Sequence, residues 1–221
     1  MEVIRAVDLC KTYKAGSIEV NAVNNINLSV NKGEFVAITG RSGSGKSTLL
    51  HLLGGVDRPT SGKVYIDGID IHSLSDNDLA IFRRRRVGFI FQFFNLVPVL
   101  TAEENIMLPV LLDGRKVDEI YTHDLLSALG LENKLGFLPS RLSGGEQQRV
   151  AIGRALITKP SIILSDEPTG NLDTVTSKEI VDLLKISAKR FNQTAIMITH
   201  DPGIAAQADR VIEIEDGRII G

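Results

Sequence analysis

The sequence predicts an α/β fold built on a mainly parallel sheet, with an antiparallel β subdomain and a helical subdomain. Short apolar runs at 35–39, 162–166 and 194–199 are typical of strands buried on both faces of a parallel sheet. The segment 25–30 alternates between polar and apolar residues, which predicts a half-buried antiparallel strand. From 92 to about 155 the apolar residues recur at helical spacing, which places the helical subdomain there.

The other elements follow in chain order. The leucine-rich stretch at 48–53 predicts a helix shortly after the first parallel strand. Residues 64–68 predict another strand that ends in a turn. Within the helical part, 117–129 and 146–156 have the clearest helical spacing, and 211–218 predicts a closing hairpin.

These elements predict a single domain of residues 1–221. We expect a core lobe formed by about 1–90 and 156–221, and a helical lobe formed by about 91–155. A chain of this length can bury roughly 70% of its unfolded surface, as a globular enzyme does. Its 43% hydrophobic and 24% charged residues are ordinary for such a protein.

Composition also excludes several classes of protein. The net charge of −2 gives no support for nucleic-acid binding. Cys10 is the one cysteine, which excludes an internal disulfide and suits a reducing compartment. No apolar run approaches the ~20 residues of a membrane span, and charged residues interrupt any signal peptide at the N-terminus. If the protein serves a membrane pump, another chain must carry the pore.

Residues 40–47 fit the pattern G-x-x-x-x-G-K-[ST] of a phosphate-binding loop, between a predicted strand and a predicted helix. The glycines allow a tight turn that brings backbone N–H groups against phosphate oxygens, at the positive end of the helix. We expect Lys46 to reach the β- and γ-phosphates and the Ser47 hydroxyl to ligate Mg²⁺. The alternative is a flexible Gly/Ser loop, which would not need this flanking strand and helix. The predicted nucleotide-binding residues here are Gly40, Arg41, Ser42, Gly43, Ser44, Gly45, Lys46, Ser47 and Thr48.

A pair of acids, Asp166 and Glu167, ends the buried run 162–166. The carboxyl ends of parallel strands are where open α/β sheets bind ligands. We expect Asp166 to hold Mg²⁺ through a water and Glu167 to polarise the attacking water. The alternative is that both acids merely cap the next helix.

His200 follows the third buried run and points to the same sheet edge as Asp166. We expect it to hydrogen-bond the γ-phosphate or the attacking water. A lone histidine near a strand end is otherwise usually structural or simply exposed.

A second glycine-rich helix start lies at 142–146, where Ser143 and Glu146 have the spacing of a capping box. Such a helix N-terminus is an anion site, and one nucleotide needs only one such cradle. The economical explanation is that this helix end caps the nucleotide held by another subunit. Locally, an ordinary well-capped helix is the alternative. The residues predicted to contact nucleotide here are Ser143, Gly144, Gly145 and Glu146.

In this order the motifs resemble those of the ATP-binding subunits of ABC transporters, over essentially the whole chain. The resemblance identifies 40–47 as a Walker A motif, 142–146 as the signature and 171–173 as the D-loop. It implies an ATPase that works as a head-to-tail homodimer, in which two ATP molecules each lie between one subunit's Walker A motif and the other's signature. It further implies that Tyr13 stacks on adenine and that Gln92 contacts Mg²⁺ and the attacking water.

The implied roles divide the site residues into sets. The catalytic set is Glu167, His200, Gln92 and Lys46, and the metal set is Ser47, Gln92 and Asp166.

The segments 53–62, 88–98 and 168–173 are similar to the branch that includes lipoprotein-release, macrolide-export and antimicrobial-peptide-resistance systems, the MacB/LolD type. This implies a separate permease of MacB/FtsX type, export, and a peripheral location at the cytoplasmic face of the cell membrane. Two residues depart from the family pattern: Glu146 stands where Gln is frequent, and Gly153 stands where Ala is usual.

An apolar cluster around Gln92 is the predicted docking surface for a coupling helix of the permease; core packing between the lobes is the alternative. It comprises Phe91, Phe93, Phe94, Leu96, Val97, Pro98, Val99 and Leu100. The arginine run 83–86 precedes it and is either a solvated helix face or a surface for anionic lipid headgroups.

Three other functions compete with transport. A soluble ABC ATPase of DNA repair or translation would carry a coiled-coil insertion or a second cassette, which this sequence lacks. A nucleotide kinase would lack the signature and His200. An ABC ATPase that drives a membrane signalling complex of cell-wall or cell-division regulation stays open at this stage, as does the transported cargo.

Overall fold

The computed structural model describes residues 1–16, 18–190 and 193–220. The strands are β1 Glu2–Ala15, β2 Ile18–Asn31, β3 Phe35–Thr39, β4 Ser61–Ile66, β5 Ile69–Asp70, β6 Val87–Ile90, β7 Ile162–Asp166, β8 Thr194–Ile198, β9 Arg210–Glu215 and β10 Arg218–Ile219. The helices are α1 Lys46–Leu53, α2 Asp76–Arg86, α3 Ala102–Leu112, α4 Glu119–Leu129, α5 Gly144–Leu156, α6 Thr174–Arg190 and α7 Pro202–Ala205, with 3-10 turns at Ile71–Ser73 and Pro139–Arg141.

Two sheets organise the molecule, as the predicted α/β fold class requires. The larger has the order β10-β9-β3-β8-β7-β6, and its five strands from β9 to β6 run parallel. The smaller sheet, β2-β1-β4-β5, is antiparallel throughout. The predicted antiparallel strand 25–30 lies within β2, which is longer than the alternating segment because it continues along β1.

The three buried runs are confirmed as β3, β7 and β8, with every residue of 35–38 and 194–198 buried. The hairpin at 211–218 is also confirmed, and its first strand joins the parallel sheet beside β3. The helices predicted at 117–129 and 146–156 are α4 and α5. Each begins immediately after a capping residue, Asp118 or Ser143.

Hydrophobic residues form two cores, one on each side of the parallel sheet. One lies between the sheets and encloses α1, with Ile38, Leu50 and Leu53 among its fully buried members. The other packs α3, α4, α5 and α6 together around residues such as Ile106 and Leu129. The loop between β3 and α1 is therefore held between the two sheets, at the carboxyl end of the parallel strands.

Across the part of the chain that the structure describes, no helix has both the length and the apolar character needed to cross a membrane.

Candidate functional site

The phosphate loop is supported from outside by two elements distant in sequence. Gly45, the N-cap of α1, has φ 101°, and a Cβ there would collide with the Ala22 carbonyl of β2. On the other side, the Gly217 N–H of the closing hairpin donates to the Ser44 carbonyl at 2.9 Å. A left-handed backbone with no room for a side chain requires glycine at position 45.

Lys46 lies in the centre of this loop and is only 5% exposed. Its ammonium donates to the carbonyls of Gly40 at 2.9 Å and Arg41 at 2.8 Å. Desolvation lowers the pKa of Lys46, and the nearby carboxylates of Glu167 and Asp166 act in the opposite direction. The loop thus contains a buried cation whose protein partners are neutral carbonyls, an environment suited to an anionic ligand.

Two side chains with oxygen donors, Asp166 and Ser47, lie together beside the loop. The Ser47 hydroxyl donates to Asp166 Oδ1 at 3.1 Å. Burial raises the pKa of Asp166, while the hydrogen bond from Ser47 acts against that shift. Mg²⁺ commonly takes one or two protein oxygens and completes its shell with water and phosphate. The hydroxyl of Ser47 and the carboxylate of Asp166 are oxygen donors of this kind, so the two side chains fit the metal.

Glu167 and His200 form the second functional pair. The imidazole Nε2 lies 2.6 Å from Glu167 Oε1, and both side chains are partly accessible. Glu167 has φ 47°, a left-handed conformation that is uncommon outside glycine and that clusters at functional sites.

Two cavities meet at this pair. One, of about 370 Å³, is lined by six of the nine predicted loop residues: Ser42, Gly43, Gly45, Lys46, Ser47 and Thr48. The other, of about 250 Å³, extends past Gly170 and Leu172 toward α6. Glu167 and His200 line both cavities, so they stand between the phosphate loop and the D-loop.

The signature residues have the predicted local structure but lie elsewhere. Ser143 and Glu146 form a complete capping box at the start of α5. A Cβ on Gly145 would meet Thr176 of α6, so this helix start packs beside the D-loop segment. None of the residues 143–146 is among those lining the phosphate-loop cavity in the described structure.

Gln92 and Tyr13 also lie outside that lining. The Gln92 carbonyl accepts a hydrogen bond from Asn171 at 2.9 Å, and its side chain packs against Gly170. Tyr13 is 43% exposed, and its hydroxyl donates to Asp57 at 2.7 Å. Burial and Asp57 raise the pKa of the Tyr13 hydroxyl, and the Thr48 side chain acts in the opposite direction.

The apolar cluster around Gln92 separates into a buried part and an exposed part. Leu96 packs against the helical core, whereas Phe93 and Val99 are 68% and 79% exposed. Phe91 lines a groove of about 430 Å³ between α2, α3 and α5, together with the exposed Leu112.

The arginine run forms ion pairs on this side of the molecule. Arg84 and Arg85 both bond to Asp113, whose side chain is fully enclosed. Arg86 contacts Asp67 at 3.5 Å, and Arg83 donates to the Gly55 carbonyl. Three of the four arginines therefore neutralise acids of this chain.

Sequence reasoning missed five contributors to the cavity: Val20, Asn21, Ala22, Asp216 and Gly217. The Asp-Gly pair at 216–217 is a turn signal, but no local pattern indicates that the turn lies against the phosphate loop. That placement follows from β9 pairing with β3.

Comparisons with known proteins agree with this geometry. A family model described as ABC transporter matches residues 23–170. The chain is 44% identical over 220 residues to the lipoprotein-releasing system ATP-binding protein LolD of Colwellia psychrerythraea, covering 99% of this chain and 85% of that protein. It is 45% identical over 223 residues to the macrolide export ATP-binding/permease protein MacB of Syntrophobacter fumaroxidans, covering 99% of this chain and 31% of that protein.

A solved structure is equally similar. The ATP-binding cassette MJ0796, in a dimeric post-hydrolysis state bound to ADP and Pi, superposes with a TM-score of 0.90 at 42% identity, covering 99% of this chain and 97% of that one. The family model spans more than half of the present chain, and the similarity to LolD extends over nearly all of it. The chain therefore belongs to the ABC transporter family, as one of its ATPase subunits.

Proposed function

We propose that the 370 Å³ cavity binds ATP, with the triphosphate on the loop of residues 40–48. The observation that carries this proposal is the convergence of a buried cation, Lys46, with Ser47–Asp166 and Glu167–His200 in one cavity. Lys46 exchanges its carbonyl partners for phosphate oxygens, which better compensate a desolvated ammonium. Within the loop, the buried hydroxyl of Ser44 has no hydrogen-bond partner in the described structure.

Ser47 and Asp166 would hold Mg²⁺ in this arrangement, with Gln92 as a further oxygen ligand. When bound, the ion supplies charge neutralisation for the phosphates. Burial raises the pKa of Asp166. A bound cation would act against that shift, because an opposite charge favours the ionised carboxylate.

Glu167 acts as the general base in the proposed hydrolysis, accepting a proton from the attacking water. His200 orients that water or the γ-phosphate, and in the present state it is engaged with Glu167 itself. Both residues are within reach of the phosphate loop because they line the same cavity.

We further propose that two copies of the chain close on two ATP molecules. The helix start Ser143–Gly144–Gly145–Glu146 does not line the phosphate-loop cavity of its own chain. A second copy would use these N–H groups to contact the γ-phosphate, while Tyr13 would stack on adenine. Residues 91–155 would move as one lobe during closure, relative to residues 1–90 and 156–221.

The groove lined by Phe91 and Leu112 is the proposed docking site for a permease of MacB/FtsX type. A cavity of about 430 Å³ with aromatic and aliphatic walls suits an amphipathic helix. The LolD and MacB relatives support a permease that exports its cargo, with this subunit at the cytoplasmic face of the membrane.

Two experiments test these proposals. Lys46→Met should abolish ATP hydrolysis by the purified protein, whereas Lys32→Met, an exposed lysine of the same sheet region, should leave it unchanged. Equal loss in both variants, or loss in neither, would contradict the assignment of the loop. For docking, Leu112→Glu should prevent copurification with the coexpressed permease. Ile120→Glu, which is 80% exposed on α4 outside the groove, should not.

A further inference from the structure

Tyr13 is held by a closed set of three contacts that the ATPase chemistry does not itself require. Its hydroxyl donates to Asp57 Oδ2 at 2.7 Å. The other carboxylate oxygen of Asp57 accepts from the Lys11 ammonium at 2.8 Å. The same ammonium lies 4.9 Å from the centroid of the Tyr13 ring, so it covers one ring face in a cation–π contact.

Asp57 is itself fixed to the strand that carries Tyr13. Lys11 donates a second hydrogen bond to the Arg58 carbonyl at 2.7 Å, and the Thr60 N–H donates to the Cys10 carbonyl at 2.9 Å. The Thr12 N–H donates in turn to the Thr60 hydroxyl at 3.0 Å. The segment 57–60 therefore runs along the end of β1 as a rigid support.

The segment 57–60 also follows closely after α1, the helix that begins at the phosphate loop. Directly after α1, the Val56 N–H donates to the His51 carbonyl at 2.8 Å, and Asp57 follows. Through Asp57, Tyr13 is thus connected to the C-terminal end of α1, the helix whose N-terminus is the proposed phosphate site.

An exposed tyrosine needs such a support if it is to serve as a platform. Tyr13 is 43% exposed, so packing alone leaves its ring free to change rotamer. Ordering a side chain on binding costs affinity, and a ring that is already oriented avoids that cost. With Lys11 over one face, the opposite face is the one left for a planar ligand.

We propose that Asp57 and Lys11 are positioning residues that hold the Tyr13 ring in the orientation at which it stacks on the adenine base. The inference rests on the proposed role of Tyr13 in binding adenine. It assigns to the segment after α1 a function in base binding, separate from the phosphate contacts of the loop.

The charge state of Asp57 supports this arrangement. Burial alone would raise the pKa of Asp57, but hydrogen bonds from Lys11 and Tyr13 lower it below its ordinary value. The carboxylate therefore stays ionised over the working pH range and keeps both partners.

The test measures the affinity of the purified full chain for ATP and for inorganic tripolyphosphate, which has no base. Titration calorimetry is performed on the wild type, Asp57→Ala, Tyr13→Ala and the double variant. We expect each single variant to bind ATP about ten-fold more weakly, as for loss of one base–aromatic stack, and tripolyphosphate as the wild type does. The double variant should be no weaker than Tyr13→Ala, because Asp57 acts through the ring.

Glu19→Ala is the matched control, since Glu19 forms an ion pair with Lys14 across β1 and β2 and takes no part in the contacts among Tyr13, Asp57 and Lys11; it should bind ATP normally. Asp57→Asn, which keeps an acceptor for the Tyr13 hydroxyl, should recover part of the lost affinity with kcat unchanged. Equal weakening of ATP and tripolyphosphate in Asp57→Ala, or additive losses in the double variant, would overturn the positioning role. Normal ATP binding by Tyr13→Ala would instead overturn the stacking assignment on which it rests.

Discussion

The imidazole Nε2 of His200 lies 2.6 Å from Glu167 Oε1, so the two proposed catalytic side chains are paired with each other. The contact follows from strand register, because Asp166 at the end of β7 is opposite Ile198 at the end of β8. The Glu167 N–H also donates to the Ile198 carbonyl at 3.2 Å, which fixes the left-handed turn of the acid. Strand register thus places the proposed base Glu167 beside the imidazole of His200 at the carboxyl edge of the sheet.

The first prediction concerns the carboxylate of this pair. Glu167→Gln keeps the shape of the side chain and its contact with His200 but removes the base. We expect kcat for ATP to fall by about 100-fold or more, as for loss of a general base, while ATP affinity stays within a factor of about three. Phosphate release and calorimetry measure the two quantities. In the presence of ATP, a stable dimer of the variant should also accumulate, which light scattering detects.

Glu132→Gln is the control for this variant, because Glu132 is exposed just after α4 and does not line the cavity. A Glu167→Gln protein that hydrolyses ATP at nearly the wild-type rate would rule out Glu167 as the base.

The second prediction tests the role of the signature across the dimer. Ser143→Arg places a large cation at the start of α5 and should prevent dimer closure and hydrolysis. The monomer should still bind ATP, because residues 143–146 do not line the phosphate-loop cavity of their own chain. Calorimetry on the monomer and light scattering with ATP separate these two effects.

Loss of the helix cap could by itself weaken the fold, by about 1 kcal/mol. Thr101→Arg controls for this, since Thr101 and Glu104 form the same capping box at the start of α3. Thr101→Arg should still dimerise with ATP. If Ser143→Arg monomers bound no ATP while Thr101→Arg monomers did, Ser143 would contact the nucleotide of its own chain and not that of the second copy.

The third prediction follows from the buried carboxylate of Asp166. Its pKa is raised by burial, so the ionised form destabilises the fold without nucleotide. Asp166→Asn should therefore raise the free energy of unfolding at pH 7 on the order of 1 kcal/mol, or about 2–4 °C in Tm for a chain of this size. Magnesium-dependent hydrolysis should be lost at the same time.

The stability difference between Asp166→Asn and the wild type should depend on pH. A raised carboxyl pKa means that the folded state binds more protons than the unfolded state, so stability falls as pH rises through this range. The advantage of Asp166→Asn should be full at neutral pH. It should disappear as the pH falls below the ordinary carboxyl pKa of about 4. Asp182 lies on the exposed face of α6, so the stability difference between Asp182→Asn and the wild type should not change with pH in this way.

The elements that carry the chemistry were predictable because each has a local cause. A run of apolar residues specifies β3, β7 and β8, and parallel pairing then brings 40–47, Asp166 and His200 to one edge. The capping box at Ser143 is likewise encoded within four residues.

What the sequence could not predict depends on contacts between distant segments. Tyr13 meets Asp57, which lies 44 residues away, and the turn at Gly217 lies against the phosphate loop. The segment after Gln92 is irregular, so no period distinguishes the exposed Phe93 from the packed Leu96. Of the apolar cluster predicted around Gln92, only Phe91 lines the groove that we propose for docking, because the other walls come from α2, α3 and α5.

The last prediction concerns Gly153, where the family pattern usually has alanine. A Cβ at this position would lie 3.0 Å from Leu129 and 3.1 Å from Ile106, so a methyl group fits only if these side chains of α4 and α3 shift slightly. Gly153→Ala gains about 1 kcal/mol of helix propensity, and overpacking costs about 1–3 kcal/mol. We therefore expect the single variant to be no more stable than the wild type in urea unfolding.

The size of the side chain at position 129 decides whether Gly153→Ala raises or lowers the free energy of unfolding. Leu129→Ala alone should lose about 2–5 kcal/mol by opening a cavity. In that background Gly153→Ala should be stabilising, because the added methyl fills the space and the helix propensity is still gained. Ser127→Ala, exposed on α4, measures the gain from propensity without packing. Strictly additive free energies for positions 129 and 153 would show that the close approach of the helices is not what requires glycine.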